Sequence, residues 1–254
     1  MDTTARLSDL EQLEIPGRLR DDLSGFVSQL VDLYKTDLLS VIAFGSAVAG
    51  GYSEASSDLN LLVVYNDLNI ADLHKVSELA QHWLKKRRFV PRFLSARNFT
   101  NSSRYFQIDL LEMRDAHAVL YGKDLFADIE IRRADLHWQL AHEIKRMRMR
   151  IKQQFWMAAG NADAIDAILR HRFASFLHLL RALLFLEGMQ PSSSQSEMAK
   201  LAVSEVGIDS AFVEQMLSLR AGKLKLKGAS QIEAFSGLMD AIRIADERVD
   251  RVVV

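Results

Sequence analysis

The stretch Gly45-Ser46-Ala47-Val48-Ala49-Gly50-Gly51, followed by Ser57-Asp58-Leu59-Asn60 and the apolar run Leu61 to Val64, constrains the fold more than any other part of the chain. The apolar run Leu38 to Phe44 ahead of Gly45 has the length of a buried strand. A glycine-serine turn leading from such a strand into a short helix aims backbone N–H groups at an anion. Ser46 adds a hydroxyl donor. Residues two apart on a strand project from the same face, so Asp58 and Asn60 are expected to point together toward whatever the turn holds.

This order resembles the polymerase-beta-like nucleotidyltransferases, the superfamily that includes the aminoglycoside nucleotidyltransferases. Their motif is Gly-Ser, a spacer, then Asp-x-Asp opening a strand. Here Asn60 stands at the second Asp. The resemblance implies a third carboxylate from a later strand, and Asp109 in Tyr105-Phe106-Gln107-Ile108-Asp109-Leu110-Leu111 is the candidate, on a strand expected over Tyr105 to Glu112. The likeness continues through Asp115-Ala116-His117-Ala118-Val119-Leu120-Tyr121-Gly122-Lys123-Asp124, similar to a segment that follows the third strand in one branch of these proteins.

The resemblance implies roles residue by residue. Gly45, Ser46 and Ser57 bind the nucleotide, with Gly45 and Ser46 at the β and γ phosphates. Asp58, Asn60 and Asp109 ligate Mg²⁺. Asp58 and Asp109 are the catalytic carboxylates, Asp109 holding the acceptor-side metal or acting as base. The implied activity is transfer of a nucleoside monophosphate from a magnesium-bound nucleoside triphosphate to a hydroxyl of a small molecule or a protein. Replacing a carboxylate with the amide of Asn60 removes one unit of charge facing a hard cation and weakens stabilisation of the developing oxyanion. A catalytically degenerate nucleotide-binding or regulatory module is therefore the alternative.

Composition sets the outer bounds. With 254 residues and 49% apolar content, the chain can bury a sizeable core. Change of character along it suggests two domains, a nucleotidyltransferase-like domain over 1–125 and a helical bundle over 126–254. The 32 cations nearly match the 33 anions, so no global field favours nucleic acid or an anionic membrane. The absence of cysteine removes disulfides and thiolate chemistry and suits a reducing compartment, the cytoplasm. The richest apolar run, Phe173 to Leu186, is interrupted by His178 and Arg181, so no membrane span is expected.

The expected fold class is α/β (α+β): an N-terminal mixed sheet with flanking helices, then an α-helical bundle. Leu19, Leu23, Phe26, Leu30 and Leu33 predict a helix over about 18–35. Leu59 to Tyr65 is a strand, Leu73 to Leu84 a helix ending in Lys85-Lys86-Arg87-Arg88, and Pro91 to Ser95 a further strand. From Arg133 the pattern is helical, broken at Gly160-Asn161 and at Gly188 to Pro191, with later helices over Ser196–Val206, Asp209–Arg220 and Gln231–Val249.

Two features compete for function. Arg172 and His178 match the Arg-x(4-6)-His spacing of helical HEPN-type ribonucleases, although Phe173 replaces the polar residue often found there. Lys145, Arg146, Arg148, Arg150 and Lys152 form a cationic helix face, either solvated or reaching a triphosphate.

Overall fold

The structure is a computed structural model that describes residues 9–50, 52, 58–67, 74–77, 79, 83, 89–191 and 194–253. The chain divides into two compact units, Met1–Ile131 and Arg132–Val254.

The first unit is built on a four-stranded sheet in the order β3-β2-β1-β4, formed by β1 (Leu38–Phe44), β2 (Leu59–Tyr65), β3 (Phe89–Ser95) and β4 (His117–Gly122). Strands β2 and β4 flank β1 antiparallel, while β3 runs parallel to β2. A parallel neighbour requires a crossover rather than a hairpin. The crossover is the segment after Tyr65, in which residues 74–77 are helical and Val76 and Trp83 are buried. Much of the helix expected over 73–84, and all of Lys85 to Arg88, lies outside the described residues.

Alternation along the strands gives the sheet two different faces. Val41, Ala43, Leu61, Val63 and Tyr65 point to one face and pack with Leu23, Phe26, Val27 and Leu30 of α1 (Gly17–Tyr34). Those four helical residues recur at spacings of three and four, the stripe that binds an amphipathic helix to a sheet. Phe26, Trp83 and Phe89 meet there with ring centroids 5.5 to 6.0 Å apart. Gly25 lies against the indole, where a Cβ would sit in ordinary contact 3.4 Å from Trp83. The opposite face carries Ile42 and Phe44 of β1, Asn60 and Leu62 of β2, and Arg92 and Leu94 of β3.

The connection between β3 and β4 holds α3 (Ala96–Ser102) and α4 (Gln107–Asp115). The strand expected over Tyr105 to Glu112 is therefore corrected to helix. Its buried residues Gln107, Leu110, Leu111 and Met113 follow helical spacing, and Gln, Leu, Glu and Met all favour helix, which outweighs the aromatic and β-branched start of the segment. The fourth strand is His117–Gly122 instead.

Strand β4 ends where glycine is compulsory. Gly122 has φ of 83°, and a Cβ there would lie 1.9 Å from the carbonyl oxygen of Leu39. The fully buried Ser40 hydroxyl closes the same spot, lying 3.1 Å from the Tyr121 carbonyl and donating to that of Lys123 at 2.7 Å.

The second unit is the helical bundle: α5 (Arg133–Met157), α6 (Ala162–Leu186), α7 (Gln195–Ser204), α8 (Ser210–Arg220) and α9 (Ala229–Val249). Helix α6 is central and touches the other four, as its nearly continuous burial from Phe173 to Leu186 requires. Asn161 and Asp209 cap α6 and α8 by accepting from the N–H groups of Ala164 and Phe212. The buried Asp166 carboxylate accepts from Gln231 Nε2 at 2.9 Å and from the Leu226 N–H at 3.2 Å. Lys145 and Arg148 of α5 both bond Asp246 of α9, at 2.8 and 3.2 Å. Of the three tryptophans, Trp83 is buried, whereas Trp138 and Trp156 on α5 are 65% and 81% exposed. Among the described residues no helix is long and apolar enough to cross a membrane.

Candidate functional site

Gly45 terminates β1 with φ of 81°, in the left-handed region that glycine tolerates, and its N–H donates to the Ala116 carbonyl at 3.1 Å. The turn leads into the single-turn helix α2, Ser46–Ala49 in β1-to-β2 order, which is tied down by the Glu14 N–H donating to Ala47 at 2.9 Å. The Glu14 carboxylate lies against the far end of this turn, 3.2 Å from where a Cβ on Gly50 would be.

Phe44 and Asn60 are opposite one another in the β1–β2 register. A Cβ on Gly45 would lie 3.3 Å from Nδ2 of Asn60, so the Asn60 amide rests on the glycine-serine turn. Gly45 and Asn60 are thus adjacent, with Ser46 half-buried beside them. Asp58 immediately precedes β2 and is exposed. Ser57 lies outside the described residues.

Asp109 sits in the first turn of α4, not on a strand, and its Oδ1 accepts a hydrogen bond from Nη1 of Arg92 at 2.9 Å. An acidic residue in a first helical turn is favoured by the helix dipole, and the guanidinium neutralises it further. Arg92 is the site residue that sequence reasoning missed. It is paired with Leu62 in the parallel β2–β3 register, so it shares the face of Asn60 and Leu62. Its Cζ lies 5.3 Å from the centroid of the Phe44 ring. The alternation Arg92-Phe93-Leu94 was the available signal, but the pairing partner of β3 was not legible.

His117 is opposite Phe44 on β4 and also faces this side. Both ring nitrogens are engaged, Nδ1 2.9 Å from the Arg114 carbonyl and Nε2 3.2 Å from Asp124 Oδ1, so the ring is fixed as a brace under Phe126.

Between the sheet and helices α3 and α4 lies a cavity of about 260 Å³. Leu62, Leu94, Phe99, Phe106, Leu110 and Met113 form its apolar lining, and the Arg92–Asp109 pair is its polar wall. The apolar lining suits a planar or aliphatic group, and the ion pair offers one anionic and one cationic handle.

The donor set that the resemblance assigns to Mg²⁺ is reduced here. Asn60 is neutral, Asp109 is ion-paired to Arg92, and among the described residues no three His, Asp or Glu side chains gather where they could hold a metal. Mg²⁺ is commonly held through one or two carboxylates plus substrate phosphates, and Asp58 is the exposed carboxylate that would meet it beside a bound triphosphate.

In the bundle, Lys145 and Arg148 are committed to Asp246, and Arg146 to Glu143. Arg172 donates through Nε to Gln154 at 2.8 Å. Desolvation, and then the nearby Arg150 charge, pulls its pKa below the usual arginine range. His178 lies on the same helix, α6.

No protein-family model matches the chain, and no curated protein does. Among solved structures it is similar to the spectinomycin adenyltransferase AAD(9) from Enterococcus faecialis, solved with ATP and spectinomycin. The match has a TM-score of 0.56 and 11% identity, and covers 91% of this chain and 99% of that one. A nucleotidyltransferase-like protein from Exiguobacterium sibiricum 255-15 aligns over 89% of this chain and 74% of its own, at 11% identity and a TM-score of 0.38. The mixed four-stranded sheet followed by a helical region, aligned along nearly the whole adenyltransferase chain, gives this protein a nucleotidyltransferase-like fold.

Proposed function

We propose that this chain is a nucleotide-binding module: it takes a nucleoside triphosphate on the sheet face bearing the Gly45–Ser46 turn and Asn60, and has lost two-metal nucleotidyl transfer. The observation that carries this reading is the Arg92–Asp109 ion pair at 2.9 Å, a cation beside the one carboxylate that the third metal-ligand position would need. Two-metal transfer stabilises the attacking and leaving oxygens through carboxylate-held ions. Asp58 is then the carboxylate left for that task, with the amide of Asn60 beside it. Binding asks for less. The Ser46 hydroxyl and the Asn60 amide, together with the Arg92 guanidinium, suit phosphate oxygens. The similar fold of an adenyltransferase solved with ATP supports a triphosphate as the ligand, and its spectinomycin supports a hydroxyl-bearing small molecule as the acceptor, should transfer occur.

The test is incubation of the full chain with each α-labelled nucleoside triphosphate and Mg²⁺ or Mn²⁺, following pyrophosphate release beside calorimetric binding. Binding without turnover in the wild type, with turnover gained in Asn60→Asp, supports the module. Wild-type pyrophosphate release that disappears in Asp58→Ala overturns it in favour of an active transferase.

A further inference from the structure

A fixed cation, the Arg92 guanidinium, already stands on this face. Neighbouring strands are about 4.8 Å apart, so β3 and β1 are separated by roughly twice that distance with β2 between them. Arg92 belongs to β3 and Phe44 to β1, yet guanidinium and ring are 5.3 Å apart. The two side chains therefore meet above β2, on the face that carries Asn60 and Leu62, with Phe44 in register with Asn60 and Arg92 in register with Leu62, the next residue along that face. The guanidinium is held from two sides, by the ring face and by Asp109. A guanidinium has five N–H donors in a planar fork. One bond, from Nη1 to Asp109 Oδ1, is accounted for, leaving donors of the fork for a second anion.

We propose that Arg92 does here what a divalent cation does in metal-dependent relatives of the fold: it binds the phosphate oxygens of the nucleotide directly, so that binding is independent of metal. The inference rests on the nucleotide-binding reading above and adds the identity of the cation. It also accounts for Asn60 and Asp109 together. With a guanidinium above β2, a second carboxylate at position 60 would stand on the same face as Arg92 and compete with phosphate for its charge, whereas an amide donates to phosphate. Asp109 holds the guanidinium in place on one edge and reduces its net charge, which makes it a positioning residue that also moderates affinity.

The experiment is calorimetric titration of the full chain with ATP, and separately with inorganic tripolyphosphate, in EDTA and in Mg²⁺. The expected result is ATP binding in EDTA within about threefold of that in Mg²⁺, weakened about tenfold or more by Arg92→Gln, as expected for loss of a charge-assisted phosphate contact. Arg92→Lys, which keeps the charge and loses the fork, should recover part of the affinity, and Asp109→Asn should raise it. Thermal melts by circular dichroism establish that each variant is folded. ATP binding that occurs only with Mg²⁺, or that is unchanged in Arg92→Gln, overturns the inference while leaving nucleotide binding intact. Absence of ATP binding in both conditions overturns both readings, unless tripolyphosphate binds in EDTA through Arg92, which retains the guanidinium site and removes only the nucleoside.

Discussion

Arg92 and Phe44 belong to strands that are not neighbours, yet the guanidinium of one lies over the ring of the other, 5.3 Å from its centroid. The contact brings a positive charge over β2, on the face that carries Leu62 and Asn60. In the reading proposed above, that charge governs what this face binds.

Asn60→Asp should convert the face from metal-free to metal-responsive. A new carboxylate next to Asp58 supplies a second anionic oxygen ligand, and the expected outcome is Mn²⁺ binding detectable by electron paramagnetic resonance, at about tenfold higher affinity or better than the wild type. In EDTA the same variant should bind ATP more weakly, since the new charge competes for that of Arg92 and repels phosphate. Equal ATP affinity of the two proteins in EDTA would contradict this.

Gly122→Ala should be among the most damaging single substitutions in the first unit. The added Cβ would be 1.9 Å from the Leu39 carbonyl oxygen at a residue with φ of 83°, so β4 must move away from β1. A loss of about 3 kcal/mol or more is expected, combining the left-handed backbone penalty with overpacking. Urea denaturation reads it directly, and a loss below about 1 kcal/mol would show that the edge strand adjusts freely.

Asp166→Ala should destabilise the bundle without affecting ligand binding. It removes the acceptor for the Gln231 side chain and the Leu226 N–H in a buried environment, leaving a donor unpaired at a cost of about 1–3 kcal/mol. Gln231 retains its bond to the Ala162 carbonyl at 2.7 Å, so the double substitution with Gln231→Leu should recover part of the loss. The measurement is a thermal-unfolding double-mutant cycle.

Alkaline pH should loosen the join between α5 and α9. The hydrogen bond from Asp246 is the largest influence on Lys145 and raises its pKa above the ordinary 10.5, against an opposing desolvation. A pKa raised in the folded state means that the contribution is fully present below pH 10.5 and is lost as pH climbs through the raised value. Because nearly half of the Lys145 side chain is exposed, the contribution is screened and should stay under about 1 kcal/mol. Lys145→Met should flatten the alkaline limb of a stability-versus-pH curve; an unchanged limb would assign it to other groups.

Features carried by local pattern were legible in the sequence. The β1 and β2 ranges, the long helices from Arg133 onward, and the chain break at Gly160-Asn161 follow from periodicity and punctuation, and Asn60 is expected to face the glycine-serine turn, where its amide lies. What was not legible depended on tertiary pairing. The Tyr105-Phe106 start of the segment around Asp109 suggests a strand, but its burial by the sheet follows the spacing of Leu110, Leu111 and Met113, so it is a helix. The Arg92-Phe93-Leu94 alternation does not single out Arg92, because its importance arises from the parallel pairing of β3 with β2 and from an aromatic ring on β1. Single-sequence pattern reports which residues share a face of one strand; it does not report which strand lies alongside.

The unequal distribution of the indoles has a practical consequence. The first unit contains one, sealed against Phe26 and Phe89, while the second contains two that are wet, so blue-shifted emission belongs to the sheet and red-shifted, quencher-accessible emission to the bundle. Without any label, fluorescence recorded at two wavelengths can follow the melting of each half separately and reveal whether a bound anion stiffens the sheet alone.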